Sequence, residues 1–210
     1  MKKVFESGIA PLCDAADRFP WHDRGAYSQY LAQTYYYLIH STRLLGLGAA
    51  RFSDAEETLH RRFLDHAREE KGHHLLALKD LENMGYKLEQ FLEMPVTRLV
   101  YEPQYYKIEH LDPTALFGYI LALEGIAVLR CSKVAAKVDK LHGKASASFL
   151  RVHGEDDPDH LDKAFDQVGI LNSRRLKYIE DGFMQSCSAL TLFFDEIAAQ
   201  VGQNTLRKAA

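Results

Sequence analysis

The sequence lacks the features that mark secreted and membrane proteins. Its 210 residues include only three cysteines, Cys13, Cys131 and Cys187, which are widely spaced and form no CxxC pair. This odd number of separated thiols argues against a disulfide framework and is typical of a reducing compartment. No apolar run reaches the roughly 18 uncharged residues of a membrane span, and Glu6 interrupts the N-terminal stretch before a signal peptide could form. We therefore expect a soluble, cytoplasmic protein.

An excess of charge of one sign is also missing. The chain has 26 Lys and Arg residues against 29 Asp and Glu residues, for a formal net charge of −3. The basic residues are scattered, so no patch is available for nucleic acid or an anionic membrane. A small-molecule substrate is the expected partner. A homodimer is the expected assembly, because two-fold dimers are the commonest symmetric oligomers.

Alternating strand patterns are absent too, and helical periodicity dominates. The predicted helices cover residues 25–49, 54–84, 114–141, 144–168 and 173–201. With 47 % hydrophobic residues, the chain has enough apolar surface for a sizeable core. We predict an all-α bundle formed by residues 25–210, preceded by an irregular extension over residues 1–24, where Pro11 and Pro20 lie.

Several helix ends carry recognisable signals. Ser53-Asp-Ala-Glu56 is a capping box, Gly85 is a helix stop, and Asp112-Pro113 combines an N-cap with a first-turn proline. The segment between Gly85 and Pro113 is too long for a simple connection. We expect a short helix and a functional loop there.

Polar residues interrupt the apolar stripe of the predicted helix over residues 54–84. At about 100° per residue, His66, Glu70 and His73 fall within roughly 60° of arc. They share that face with apolar residues such as Phe63 and Leu81. The trio is therefore expected to point into the core.

Two further stripes show the same interruption. In "HGEDDPDH", His153, Asp157 and His160 fall on one stripe if the helix continues through the segment. In "FGYILALEGIAVLRC", Glu124 is the one acid in an apolar stripe. Burying an unpaired ion costs several kcal/mol. A transition metal would offset this, because carboxylate oxygen and neutral imidazole nitrogen are its natural ligands.

The spacing H-x3-[D/E]-x2-H occurs twice, at residues 66–73 and 153–160. Each match contains a carboxylate-x-x-His pair, which is how di-iron sites in helical bundles project ligands from two helices. Other helices of such sites add single glutamates, a role that suits Glu124. Two matches in one chain favour a metal site over a chance pattern.

Several alternatives stay open on the residues alone. Asp157 could be an N-cap with Pro158 at the first helical position, which would leave His153 in a loop. His66 could be either a ligand or a hydrogen-bonded core histidine. On the first predicted helix, Gln33, Tyr36 and His40 share a face that could close the pocket, which makes His40 a further candidate ligand.

Three stretches together resemble a known family. "HAREEKGHHLLALKDLENMGY", "EPQYYKIEHLDPTALFGYILALEG" and "FLRVHGEDDPDHLDKAF" are similar to the haem-oxygenase-like di-iron oxidases and oxygenases, also called iron-containing redox enzymes. The similarity extends over about residues 25–200. It implies a haem-oxygenase-like helical bundle, a fold shared with thiaminase-II-type and pyrroloquinoline-quinone-synthase-type proteins.

The resemblance also implies a ligand set for two irons. Carried over residue by residue, the ligands are Glu70, His73, Glu124, His153, Asp157 and His160, with Glu70 and Glu124 at the catalytic centre. This favours the ligand interpretation of the segment around Pro158. Relatives often add a glutamate from the first helix, which this chain replaces with residues such as Gln33 and His40. We therefore expect the second iron to be held weakly or coordinated differently, with His66 as a candidate ligand.

The implied function is a non-haem di-iron enzyme that uses O2 and an electron donor to oxidise a small organic molecule. N-oxygenation, desaturation, decarboxylation and C–C cleavage all occur in the family. One alternative is a metal-independent hydrolase or lyase of the thiaminase type, with Cys131 as nucleophile and Glu124 as acid or base. Another alternative is a protein that binds a metal or ligand without catalysis.

Overall fold

Ten α-helices and no strand occupy residues 1–209 of the computed structural model, which describes the side chains of residues 1–154 and 161–200. The prediction of an all-α bundle is confirmed. In chain order the helices are α1 (Lys2–Arg18), α2 (Arg24–Leu38), α3 (Ser41–Ala50), α4 (Glu57–Glu69), α5 (His73–Asn83), α6 (Pro95–His110), α7 (Leu116–Ile126), α8 (Ser132–His142), α9 (Ser148–Gly169) and α10 (Ser173–Ala209).

The N-terminal segment is helical, so the prediction of irregular structure over residues 1–24 is wrong. Helix α1 includes Pro11 in its interior and packs against α10 and α7. Its apolar side chains, including Ile9 and Leu12, are buried in the common core, whereas Pro11 itself is exposed. Burial of this face outweighs the backbone hydrogen bond that a proline removes.

Two of the predicted helices are interrupted. The predicted helix over residues 54–84 divides into a short 3-10 turn, α4 and α5, because Gly72 adopts a left-handed backbone with φ of 93°. The predicted helix over residues 25–49 divides into α2 and α3 at Ile39 and His40. A left-handed glycine ends a helix without the steric penalty that other residues meet.

The remaining elements follow the predictions more closely. The Ser53–Glu56 capping box is present, Asp112 caps the turn that begins at Pro113, and Gly85 has φ of 80° after the end of α5. Helix α9 runs without a break through Pro158, as the ligand interpretation requires. The segment predicted to hold a short helix and a loop contains the 16-residue helix α6.

The centre of the bundle is a helical rod from Pro113 to His142, which includes α7, a π-helical turn at Ala127–Cys131 and α8. It matches the helix predicted over residues 114–141. The rod is long and apolar enough to cross a membrane, but 67 % of its most apolar stretch is buried inside the protein. Such burial is what the core helix of a soluble protein shows.

Two glycines allow the rod to approach its neighbours. A Cβ atom on Gly118 would lie 2.4 Å from the Ile179 carbonyl oxygen, so α7 and α10 can pack this closely only with glycine at this position. A Cβ atom on Gly154 would lie 2.5 Å from the Ser132 hydroxyl, which marks a similar contact between α9 and the rod. The Gly154 contact holds α9 against the rod that carries Glu124.

Candidate metal centre

Five side chains that could ligate a metal converge from four helices. His66 lies on α4, Glu70 caps the C-terminus of α4, His73 is the first residue of α5, Glu124 lies on α7 and His153 lies on α9. His66, Glu124 and His153 are buried, and the side chains of Glu70 and His73 are only 12 % and 15 % exposed. The cluster is therefore largely removed from bulk water.

Glu70 lies between two imidazoles. Its Oε2 atom is 3.5 Å from His73 Nδ1, and its Oε1 atom is 3.8 Å from His66 Nε2. His66 Nε2 is also 3.2 Å from Glu124 Oε1. Four of the five groups thus form a continuous chain in which carboxylates and imidazoles alternate, in the order Glu124, His66, Glu70 and His73.

His153 is oriented by the backbone of its own helix. Its Nδ1 atom is 2.9 Å from the Phe149 carbonyl oxygen, which can only accept, so Nδ1 is the protonated donor. Its ring packs against those of His73 and Phe149, with centroid distances of 4.8 Å and 4.3 Å. A backbone hydrogen bond of this kind fixes the tautomer and leaves Nε2 as the ligating nitrogen.

Glu70, His73 and His153 fit a metal ion. One potential ligand atom from each lies within 4.8 Å of the other two. Two ligands of one ion, each about 2.1 Å from it, can be at most about 4.2 Å apart. The three side chains would have to close by only about half an ångström. Oxygen and imidazole nitrogen ligands suit iron, manganese and zinc alike, so the donor set fits a transition metal.

The charges in the cluster depend on one another. Burial lowers the pKa of His66, but the hydrogen bonds and charges of Glu124 and Glu70 outweigh burial and raise that pKa to about 9. Burial raises the pKa of Glu70, but His66 and His73 reverse this and hold that pKa well below its usual range. A proton on His66 therefore balances Glu70 in this cluster. A bound cation would take over that role and release the proton.

A cavity of about 80 Å³ adjoins the cluster. Its polar wall includes His66, Glu70, Glu124 and His153, together with Tyr119 and Cys131. Leucine, isoleucine and aromatic side chains make up most of the remaining wall. The arrangement places a mainly apolar compartment beside a set of potential metal ligands, which is the usual character of a small-molecule site.

The predicted site residues divide into three groups. The structure brings five of them together in the buried cluster: His66, Glu70, His73, Glu124 and His153. Asp157 and His160 lie outside the residues whose side chains are described. Gln33, Tyr36 and His40 are not among the described residues of the cavity wall, so the structure does not support the alternative in which their face closes the pocket.

That face has structural contacts instead. Gln33 accepts hydrogen bonds from the backbone of Met94 and the hydroxyl of Thr97, and it donates to the Leu92 carbonyl. The His40 ring stacks on Tyr101 at 3.8 Å. Gln33 therefore holds the segment before α6 and the start of α6 against α2. His40, between α2 and α3, packs against the side of α6.

Tyr119 is a wall residue that the sequence analysis missed. Helix α7 is buried on nearly all sides, so its apolar pattern has no polar face from which the position of the cavity could be inferred. Glu124 stood out there because it is charged. A tyrosine among apolar residues gives no comparable signal.

An all-α bundle with a buried cluster of carboxylates and imidazoles is typical of proteins that hold metal ions between their helices. Residues 28–188 match the family described as iron-containing redox enzymes. Because the match covers most of the chain, the protein belongs to that family. A comparison with curated proteins finds no match.

Solved structures show the same fold. A haem-oxygenase-like domain of unknown function from Shewanella denitrificans aligns with a TM-score of 0.85 and 17 % identity, over 97 % of this chain and 94 % of its own. A TenA homologue from Pseudomonas syringae gives 0.76 and 13 %, over 92 % and 90 %. A TenA family transcription regulator from a Silicibacter species gives 0.65 and 16 %, over 93 % and 95 %. The predicted haem-oxygenase-like fold is therefore confirmed.

Proposed function

We propose that the protein is a non-haem di-iron enzyme that uses O2 and an electron donor to oxidise a small organic molecule held in the cavity. The observation that carries the proposal is the position of Glu70 between two imidazoles, with one carboxylate oxygen facing His73 and the other facing His66. A carboxylate with an imidazole on each side could take part in holding two metal ions.

The proposed ligands fall into two sets. Glu70, His73 and His153 would hold one iron, since their donor atoms already lie within 4.8 Å of one another. His66 and Glu124 would hold the second iron, together with Glu70. Asp157 and His160 complete the set that the family resemblance implies. Helices α2 and α3 contain no glutamate, whereas relatives often have one on the corresponding helix, and this favours weaker binding of the second iron.

Iron bound here would supply the redox chemistry with O2. The protein's own residues have other tasks. Apolar side chains of the cavity exclude water around the reacting molecule. The Phe149 carbonyl holds the His153 ring in place. Glu70 and Glu124 would carry the negative charge that compensates the bound cations.

The proposed function also implies partners, a cellular compartment and an assembly state. The partners are the substrate, O2 and a separate electron donor, without nucleic acid or membrane. We propose that the protein acts in the cytoplasm as a homodimer, because its separated thiols suit a reducing compartment and two-fold dimers are the commonest symmetric oligomers.

A second candidate function is a metal-independent hydrolase or lyase of the thiaminase type. The observation that favours it is that Cys131 and Glu124 line the same cavity. Two structural neighbours named as TenA proteins are compatible with it. Replacement of Cys131 by Ser separates the two functions. Loss of activity with unchanged iron content favours the cysteine chemistry, whereas retained activity favours the iron enzyme.

A matched pair of variants tests the leading proposal. Glu69 precedes Glu70 in the chain, but its carboxylate faces Arg62 at 3.5 Å and Lys163 at 3.7 Å. After anaerobic reconstitution with iron(II), wild type and Glu69→Gln should bind iron and change their optical spectrum when O2 is added. Glu70→Gln should lose both properties while its circular dichroism stays helical. Less than one tightly bound iron per wild-type chain, with no response to O2, would contradict the proposal.

A further inference from the structure

Tyr119 presents an unpartnered polar group to the cavity. The side chain lines the same wall as Glu70 and His66, and the residue is only 3 % exposed. Its hydroxyl oxygen is buried and has no hydrogen-bond partner among the residues that the structure describes. A buried hydroxyl without a partner is unfavourable, and native proteins retain such groups mainly where a ligand or a specific role explains them.

The wall around this hydroxyl is mainly apolar. Leu44, Leu45, Leu116 and Ile120 are among the aliphatic side chains that line the cavity, and no Lys or Arg belongs to the wall as described. A molecule that fills the cavity therefore needs an apolar body. An anionic group placed near Tyr119 would find no Lys or Arg in the described wall, and the His66 imidazole is already paired with Glu70 and Glu124.

The Tyr119 hydroxyl can act as a hydrogen-bond donor in the cavity. Burial, with Tyr37 and Glu70 adding to its effect, raises the pKa of the Tyr119 phenol well above its usual range. The group is therefore a neutral O–H at any physiological pH. A neutral phenol that faces an acceptor donates its proton in a hydrogen bond.

We infer that Tyr119 positions the substrate by donating a hydrogen bond to an uncharged acceptor, such as a carbonyl or hydroxyl oxygen, on an otherwise apolar molecule. The inference rests on the proposed function insofar as it treats this cavity as the substrate site. The substrate would then make its polar contact with Tyr119 near the start of the rod. Its apolar body would contact the leucine and isoleucine side chains of the cavity wall. Tyr119 is thus a positioning and specificity residue.

Two small probes of similar shape test the inference without turnover. Cyclopentanone carries one carbonyl acceptor, and cyclopentane carries none. Their dissociation constants are measured by NMR titration for wild type, Tyr119→Phe and Tyr36→Phe, with the iron content of each sample recorded. Tyr36 lies outside the described cavity wall and donates its hydroxyl to the Phe91 carbonyl at 2.7 Å, so it is the matched control.

Tyr119→Phe should weaken cyclopentanone binding by about 5- to 10-fold, the worth of one hydrogen bond, and leave cyclopentane binding within about twofold. Tyr36→Phe should change the ratio of the two constants by less than about twofold. Equal loss for both probes in Tyr119→Phe, no loss for cyclopentanone, no binding of either probe to wild type, or the same selectivity change in Tyr36→Phe would overturn the inference.

The test separates this inference from the proposed function. Iron bound at normal stoichiometry, together with an unchanged cyclopentanone constant in Tyr119→Phe, refutes the role of Tyr119 and leaves the di-iron function standing. Absence of iron, together with the expected loss of cyclopentanone binding, refutes the di-iron function and supports the role of Tyr119.

Discussion

Glu70 and His73 meet across a left-handed turn. Glu70 caps α4, His73 begins α5, and Gly72 between them has φ of 93°. The Glu70 Oε2 and His73 Nδ1 atoms are 3.5 Å apart. The two side chains are therefore brought together by a change in chain direction, and not by neighbouring turns of one continuous helix.

Replacement of Gly72 by Ala should disturb this turn. A left-handed backbone costs a residue with a Cβ atom about 1–2 kcal/mol, so the free energy of unfolding should fall by about that amount. Iron affinity should fall as well, because the Glu70 carboxylate and the His73 imidazole would no longer be held at their present separation. Chemical denaturation and iron titration measure the two effects.

Gly46 provides the control for the Gly72 variant. It lies within α3, and an added Cβ atom would meet nothing within 4 Å. Gly46→Ala should raise the free energy of unfolding by up to about 1 kcal/mol, because alanine favours the helix. If Gly72→Ala proved as stable as Gly46→Ala and bound iron normally, the turn would not be what positions the two ligands.

The adjacent histidines His73 and His74 should differ sharply in their effect on iron. His73 faces Glu70 and His153, whereas the His74 ring lies 5.7 Å from that of Tyr35. His73→Ala should lower iron affinity by at least about tenfold, and His74→Ala should leave it within about twofold. Competitive titration with a chelator measures both constants. Equal effects would show that His73 has no special role.

The two hydroxyls of Tyr119 and Tyr27 should affect stability in opposite directions. Tyr119→Phe removes a buried hydroxyl without a partner and should raise the free energy of unfolding by about 1 kcal/mol. Tyr27 donates a hydrogen bond of 2.5 Å to the Ser146 carbonyl, so Tyr27→Phe should lower that free energy by about 1 kcal/mol. Urea denaturation in the absence of ligand provides the comparison. A loss of stability in Tyr119→Phe would mean that its hydroxyl is already satisfied.

Lys107 should make stability depend on alkaline pH. It is buried on α6 and donates to Gln104 Oε1 at 3.2 Å. Burial, opposed in part by the charge of Asp181, lowers its pKa from 10.5 to about 8. Between pH 8 and 10.5 the unfolded chain thus binds more protons at this site, so the contribution of Lys107 to the free energy of unfolding rises with pH.

The matched variant for this effect is Lys107→Met, which keeps the apolar part of the side chain and removes the charge. From pH 8 to 10.5, wild type should gain up to about 3 kcal/mol of unfolding free energy relative to Lys107→Met. Denaturation curves at several pH values measure the difference. Parallel pH dependence of the two proteins would show that the Lys107 amine keeps its ordinary pKa when buried.

Local periodicity was enough to locate part of the candidate site. His66 and Glu70 are one turn apart at the end of α4, so their shared face follows from the helical repeat alone. Glu124 and His153 were predicted to point inwards because each interrupts an apolar stripe, and both are buried. The fold class followed from the same periodicity.

Other parts depend on effects that local patterns do not encode. Pro11 argued against a helix in the N-terminal segment, but tertiary burial of residues such as Leu12 outweighed its local effect. The break at Gly72 required a backbone angle that helical propensity does not specify. The position of Tyr119 at the cavity depends on how α7 packs among its neighbours, which only the assembled bundle determines.

The central claim is that a metal ion lies between Glu70, His73 and His153. Anomalous diffraction at the iron absorption edge, from crystals grown anaerobically with iron(II), tests it most directly. The account predicts an anomalous peak in contact with all three side chains, and a second, weaker peak on the side of His66 and Glu124. An iron-soaked crystal with no peak at this cluster, or with iron bound only elsewhere on the chain, would contradict it.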